Sequence, residues 1–280
     1  MAKLDSEGEY VHGTHRSEQD RLALMNRILN ARTLAEVRVQ PGDRILDVGS
    51  GLGQMSIAMA EAGGAGSRVL GIERSDEQIA KAIESRNAAG LSPARVEFRQ
   101  GDALKLALGD GERGQFDLAL TRFLLEHVPD PLAVVRQMVS AVRPGGRIVL
   151  ADDDHEILRL HPEPPSLRAV WSGYMQLYTK LRNDPIVGRR LVQLLHQAGA
   201  SPRRNSWVWF GACSGDPIFD ATVTNLIGVL RGAEPRMVAE GLIGPDVVRG
   251  CCDVELREFA AQPDSAVWFA MSLAEGTRPE

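Results

Sequence analysis

Between residues 44 and 151 apolar runs of strand length alternate with stretches whose apolar positions recur at helical spacing. Arg44-Ile-Leu-Asp-Val48 follows Pro41-Gly42 and predicts a buried strand. Gly49-Ser-Gly-Leu-Gly53 predicts a turn, and Met55, Ile57, Ala58, Met59 and Ala62 predict a helix after it. Val69-Leu-Gly-Ile72, ending in Glu73, reads as a second strand, and Asp76–Ala89, stopped by Gly90, as a second helix. Val96-Glu-Phe98 is a third strand running to Gly101-Asp102, and Phe116–Leu120 is a fourth. Leu132–Val142 predicts the next helix, and Arg143-Pro-Gly-Gly146 turns the chain into a fifth strand, Arg147–Ala151. Strands that alternate with helices in this way build an α/β domain, a parallel sheet covered on both faces.

The flanks have a different character. Residues 17–38 carry Leu22, Met25, Ile28, Leu29, Leu34 and Val37 at helical spacing behind Ser17, Glu18 and Asp20, which predicts an N-terminal helical arm. After Asp154 the alternation stops. Pro162, Pro164 and Pro165 predict a loop, Leu167–Leu181 and Val187–Ala198 two helices, and Asn205–Phe210 a strand with Trp207 and Trp209 on one face. Residues 217–230 and 246–261 read as helices and Ala266–Leu273 as a closing strand. The expected organisation is an arm or lid over 1–40, a ligand-binding core over 41–155, and helical insertions plus two closing strands over 156–280.

Composition narrows the partners. With 44% hydrophobic residues the chain is too apolar to be disordered, yet it has no apolar run near the roughly 18 residues of a membrane-spanning helix. Its 32 Lys and Arg against 37 Asp and Glu form no basic block, so neither nucleic acid nor a membrane is an expected partner. The start runs from Lys3 into Asp5, Glu7 and Glu9 rather than into an apolar stretch, and Cys213, Cys251 and Cys252 cannot build a disulfide framework. A cytoplasmic location is the expectation, with a homodimer left open.

Ligands of open parallel sheets bind outside the carboxyl ends of the strands. Those ends carry Gly49–Gly53, Glu73, Asp102, Thr121-Arg122 and Asp152–Asp154. Glycines let a ligand approach the backbone, and a helix start offers free N–H groups. The dinucleotide fingerprint requires a third glycine three residues after the second. Gln54 stands there instead, and the observed spacing is Asp47, Gly49, Gly51, Gly53. That arrangement resembles motif I of the class I S-adenosylmethionine-dependent methyltransferases. Glu73, Gly101-Asp102-Ala103, Leu124-Leu-Glu-His-Val-Pro-Asp-Pro131 and Arg143-Pro-Gly-Gly-Arg-Ile148 resemble that family's later motifs in the same order. Tyr10-Val-His-Gly13 with Glu18 and Arg21-Leu22 is similar to the arm of small-molecule members related to quinone-biosynthesis methyltransferases.

The resemblance implies a Rossmann-like, doubly wound, mostly parallel seven-stranded sheet whose last strand is antiparallel, with a helical insertion after the fifth strand. It implies S-adenosyl-L-methionine as cofactor, S-adenosyl-L-homocysteine as product, and a small-molecule methyl acceptor. The expected cofactor contacts are Tyr10, Asp47, Gly49, Ser50, Gly51, Gln54, Glu73, Arg74, Gln78, Asp102, Ala103, Arg122 and His127. Glu73 would accept from the ribose hydroxyls and Asp102 from the adenine amine, while Asp47 would orient the turn. The acceptor-side candidates are His12, Asp153, Trp171, Tyr174 and Tyr178, with His155 and His15 as catalytic candidates. Each has a plainer alternative: Asp47 as a turn cap, Asp152–Asp154 as solvated acids, and the aromatics at spacings of three and four as ordinary packing. A sulfonium methyl is already electrophilic, so alignment is the main demand, and a base is needed only if the nucleophile must lose a proton. No metal is expected. A cofactor-binding but inactive regulatory or scaffold subunit and a nucleotide-dependent oxidoreductase are the alternatives.

Overall fold

The computed structural model describes residues 29–280, which fall into two compact units. The larger takes residues 30–154, 186–208 and 271–280, and the smaller 155–185 and 209–270. Tyr10, His12 and His15, with most of the expected arm, lie outside the described residues.

A helix over 29–37 (α1), all but its first residue in the larger unit, is followed by β1, Arg44–Val48. The unit continues with α2, Gln54–Ala62; β2, Arg68–Glu73; α3, Asp76–Ala88; β3, Val96–Gln100; β4, Phe116–Arg122; α4, Pro131–Ala141; and β5, Val142–Asp153. β1 is parallel to both β2 and β4, β2 to β3, and β4 to β5, so the strand order runs β3-β2-β1-β4-β5 and all five carboxyl ends share one edge. Residues 271–277 of the last strand lie antiparallel against β5, with Asp153 opposite Met271. The central strands are buried on both faces, as continuous apolar runs require: Ile45, Leu46, Leu118, Leu120, Ile148 and Leu150 are wholly enclosed. Helix starts follow local chemistry. Ser75 Oγ accepts from Gln78 N–H at the head of α3, and Asp130 Oδ1 accepts from Ala133 N–H at the head of α4, whose first residue is Pro131.

β5 outruns its predicted bounds for a visible reason. β5 begins at Val142 because the pairing with β4 shifts between Phe116 and Leu118, absorbing Pro144-Gly145-Gly146 within the strand. β3 ends at Gln100, just before Gly101-Asp102 as expected, and stays paired to β2 as far as Glu73.

In the smaller unit Arg159–His161 forms a strand, β6, antiparallel to Ala266–Trp268. This eighth strand is an addition to the seven expected; its three residues fall beside the proline loop and are too few to show an alternating pattern. The helices α5, Leu167–Lys180; α7, Phe219–Ala239; α8, Pro245–Arg249; and α9, Leu256–Ala261 enclose a core of their own around Leu177, Tyr178, Leu230, Cys251 and Phe259. A π-helical turn, Gly250–Glu255, joins α8 to α9. Between these segments, α6, Leu191–Gln197, belongs to the larger unit, followed by β7, Ser201–Cys213, which pairs with β8, Ala266–Thr277. α7 runs nine residues beyond the predicted 230. Ala233 and Met237 continue the buried row of Val223, Leu226 and Leu230, and burial of that face outweighs the break that Pro235 would otherwise impose.

Candidate active site

At the carboxyl edge of the larger unit the chain leaves β1 through three glycines at positive φ: Gly49 at 79°, Gly51 at 53° and Gly53 at 75°. The turn is pinned beneath by Gly49 and Ser50 N–H groups donating to Ile72 O, at 2.8 and 3.0 Å. The three glycines do different work. A Cβ on Gly53 would lie 2.4 Å from Phe98 Cζ and 2.9 Å from Ala82 Cβ, so this glycine lets α2 and α3 close on the sheet. A Cβ on Gly51 would meet only the end of the Gln78 side chain, Oε1 at 3.3 Å, so this glycine is the least enclosed of the three. Gly51 is the position where a ligand can reach the backbone.

Glu73 closes the cradle from the end of β2. Its Oε2 accepts from Gly51 N–H at 3.0 Å, and its Oε1 from the N–H groups of Arg74 and Ser75 at 2.8 and 3.0 Å. Each carboxylate oxygen has two lone pairs, so Oε2 keeps one for an incoming hydroxyl. Arg74 has an exposed side chain, and Gln78 is half-buried. Gln54, at the head of α2, accepts from Asn30 Nδ2 at 3.5 Å. At the end of β3 the exposed Asp102 uses Oδ1 to accept from Leu104 N–H at 2.9 Å, and Ala103 packs on the core beside it.

Asp47 is buried within β1, where Oδ2 accepts from Ser56 Oγ at 2.5 Å and ties the strand to α2. Burial pushes its pKa up to about 6, against the pull of the Ser56 hydroxyl and the Arg122 guanidinium, with Glu73 adding to the rise. Arg122, at the end of β4, is pushed down to about 10 by burial while Asp47 and Asp153 oppose the shift.

The acids at the end of β5 are not the solvated group that the plainer reading gives. Asp152 is fully buried: Oδ2 accepts from Leu124 and Leu125 N–H at 3.1 and 2.8 Å, and Oδ1 from Asp153 N–H at 3.0 Å. It therefore holds the turn that carries His127. Asp154 is buried in a two-pronged pair with Arg189, both contacts at 2.7 Å. Only Asp153 is partly exposed. Burial and the neighbouring Glu126 raise Asp152 to about 8. Burial works against a charged His127, but Glu126 Oε1, 3.3 Å from Nε2, outweighs it with help from Asp152 and holds the imidazole above its usual range.

These shifts share one sign. A carboxyl or imidazole with a folded pKa above its unfolded value stabilises the fold at low pH and loses that contribution as pH rises through the folded value. For Asp152 the window runs from 3.8 to about 8. Urea unfolding is expected to give falling stability from pH 5 to pH 8, with a shallower decline in Asp152→Asn. A wild-type stability that is flat or rising across that range contradicts the assignment.

In the smaller unit His155 is enclosed by rings: Trp171 at 5.6 Å, Tyr174 at 5.5 Å and Tyr178 at 5.1 Å between centroids, all edge-on, with Phe269 at 6.5 Å. Its carbonyl accepts from Trp171 Nε1 at 2.7 Å and its N–H donates to Pro185 O at 3.0 Å. Tyr174 and Tyr178 are each 1% exposed, with their hydroxyls 3.0 Å apart. Both belong to this unit's core, and of the three helical aromatics only Trp171 keeps exposed surface. His127, Asp152 and the Asp154–Arg189 pair are the parts of the site whose partners the sequence does not announce. The signal for Asp152 was its place two residues before the break in alternation.

A model of the methyltransferase domain matches residues 40–216, more than half of the chain. The chain belongs to the class I S-adenosylmethionine-dependent methyltransferases. The cofactor of this enzyme family is S-adenosyl-L-methionine. Among curated relatives, this methyltransferase is 30% identical to the demethylmenaquinone methyltransferase of Desulfitobacterium hafniense over 246 residues, covering 81% of this chain and 90% of that one. It is 34% identical to the 27-O-demethylrifamycin SV methyltransferase of Amycolatopsis mediterranei over 158 residues, 56% of this chain and 54% of that one. Two other curated relatives are spanned over only 44% and 62% of their lengths. The fold matches a geranyl diphosphate methyltransferase solved with GPP and sinefungin at a TM-score of 0.58, with 15% identity, over 93% of this chain and 82% of that one. No helix among the described residues is long and apolar enough to cross a membrane.

Proposed function

We propose that this chain transfers a methyl group from S-adenosyl-L-methionine to a small organic acceptor by in-line displacement. One observation carries the reading: at the carboxyl edge of the sheet, Gly51 is the least enclosed of the turn's three glycines, its N–H donating to the Glu73 carboxylate. When bound, the cofactor supplies an electrophilic methyl group on sulfur. The chain's own part is to hold and align. Gly51 would admit the ligand to the backbone, Glu73 would accept from a ribose hydroxyl through the lone pair left on Oε2, and Asp102 Oδ2 would accept from the adenine amine. Asp47 fixes the turn from beneath through Ser56. His127, set by Asp152 and Glu126, lines the same edge. Alignment of this kind is worth several kcal/mol, up to about 7–11 in model reactions.

A small acceptor, and a place in specialised metabolism, are supported by relatives whose names specify demethylmenaquinone and 27-O-demethylrifamycin SV. A cytoplasmic setting and a single-chain or homodimeric enzyme accord with this reading. On the acceptor side, Asp153 at the end of β5 is partly exposed and has surface to offer. Calorimetry is expected to show S-adenosylhomocysteine binding with no comparable binding of NAD. Preferential binding of NAD would overturn the cofactor assignment. Cofactor binding without turnover across a panel of quinone, phenol and alcohol acceptors would favour the regulatory reading instead.

A further inference from the structure

The larger unit holds a second concavity, at the edge of the sheet opposite the glycine turn. It encloses about 380 Å³ and is lined by Arg44, Arg68, Glu97 and Glu112, with an apolar floor that includes Leu70 and Phe116. Arg44, Arg68 and Phe116 are the first residues of β1, β2 and β4, and Glu97 is the second of β3, so the pocket sits where the strands begin. Its origin is the connection from β3 to β4. Parallel strands are usually joined through a helix that packs on the sheet, but residues 101–115 cross without one. Leu106 and Leu108 anchor that loop in the core, while Arg68 and Glu97 beside it stay exposed.

Two cations stand side by side in this pocket. Arg44 and Arg68 are direct partners in the parallel pairing of β1 with β2, so both side chains leave the same face of the sheet. Like charges so placed repel. The Arg44 guanidinium lies over the Phe116 ring, 5.0 Å from its centroid. Among the described residues, neither guanidinium has a hydrogen-bond or ion-pair partner. The acids nearby are already committed. Glu97 accepts from Arg99 Nη2 at 2.8 Å, and Glu112 from Arg99 Nη1 and Nη2 at 2.9 and 3.0 Å. Asp117 accepts from Arg143 Nε at 2.7 Å and from the Arg44 N–H at 2.8 Å. The donors left open in the pocket belong to Arg44 and Arg68.

We propose that this pocket binds a small phosphomonoester carried on a flat apolar body. A phosphomonoester has close to two negative charges at neutral pH and three acceptor oxygens, which matches two adjacent guanidinium groups. A lone carboxylate carries one charge and would neutralise only one of the pair. Arg44 has one face against Phe116, and its other face can stack on an aromatic ring. Glu97 and Glu112 border the pocket and repel a longer polyanion, so a nucleic-acid backbone is a poor occupant. The five residues of β1 set this pocket roughly 13 Å from the glycine turn, far enough for both sites to be filled together.

Phenyl phosphate is the probe, titrated by calorimetry into wild-type protein, Arg68→Gln and Arg68→Glu, with inorganic phosphate and benzoate as controls. Wild type is expected to bind phenyl phosphate at one site, at least about ten-fold more tightly than either control. Arg68→Gln should weaken that binding at least about ten-fold, and Arg68→Glu, which sets a carboxylate beside Arg44, should abolish it. The only hydrogen bond of Arg68 to the described residues across this edge is its backbone N–H to Asp43 O, so neither variant should lower the urea midpoint. Saturating S-adenosylhomocysteine should leave the phenyl phosphate affinity unchanged. Binding that survives Arg68→Glu, or that S-adenosylhomocysteine displaces, overturns the proposal, because the probe would then sit elsewhere. Inorganic phosphate or benzoate binding as tightly as phenyl phosphate overturns it too, as does the absence of saturable binding.

Discussion

Gly51→Val is expected to raise the dissociation constant of S-adenosylhomocysteine by at least about a hundred-fold, roughly 2.8 kcal/mol, while leaving a cooperatively folded protein. Two effects combine. The φ of 53° at Gly51 is left-handed, where a branched side chain costs about 1–2 kcal/mol of stability. The side chain itself would project into the space above the turn, where only Gln78 Oε1 stands nearby. Gly53→Val provides the contrast: its Cβ would lie 2.4 Å from Phe98 Cζ, so that variant should lose the fold rather than the ligand alone. Glu73→Ala should be the mildest of the three. It is expected to weaken binding by about 1–3 kcal/mol through lost charged hydrogen bonds, and part of that loss comes from freeing the Gly51 N–H that shapes the turn. Calorimetry on the three variants, with unfolding curves alongside, separates these outcomes. Gly51→Val with an affinity within three-fold of wild type would remove the turn from the site.

The glycine turn and the five strand ends were legible in the sequence because their signals are local. A buried parallel strand reads as an apolar run, and a ligand turn reads as closely spaced glycines. Arg44–Val48, Glu73 and Asp102 are accordingly where the pattern places them. What escaped the sequence depends on partners far along the chain. Asp152 looks like one of three solvated acids, but the N–H groups it accepts from belong to Leu124 and Leu125, 28 and 27 residues earlier. Asp154 is matched by Arg189, 35 residues later. The strand Arg159–His161 is defined only by its pairing with Ala266–Trp268. Residues 186–208 read as a continuation of the insertion, but pack with the larger unit because Leu191, Leu194 and Leu195 bury in its core. The glycines illustrate the same limit within one motif. Their spacing is visible in the sequence, but their division into a packing glycine and a ligand-facing one depends on Phe98 and Ala82.

Tyr174→Ala is expected to cost about 3–5 kcal/mol of folding stability, the range for deleting a large buried aromatic. Spacing alone leaves the Trp171, Tyr174 and Tyr178 stripe free to be either core or pocket lining. Tyr174 is 1% exposed, its ring stacks on Trp171 at 5.0 Å and meets His155 edge-on at 5.5 Å, and its hydroxyl lies 3.0 Å from that of Tyr178. Truncation would leave a ring-sized cavity among these groups and remove one polar contact from a buried hydroxyl. Tyr174→Phe isolates the second effect and should cost about 1 kcal/mol. The two substitutions together distinguish packing from recognition. If the stripe is core, Tyr174→Ala lowers the urea midpoint sharply, while cofactor affinity and turnover per folded molecule stay near wild type. If it contacts the acceptor, Tyr174→Phe impairs turnover at nearly unchanged stability. The enclosed position of Tyr174 predicts the first pattern, and a catalytic defect in Tyr174→Phe with an unshifted midpoint would refute it.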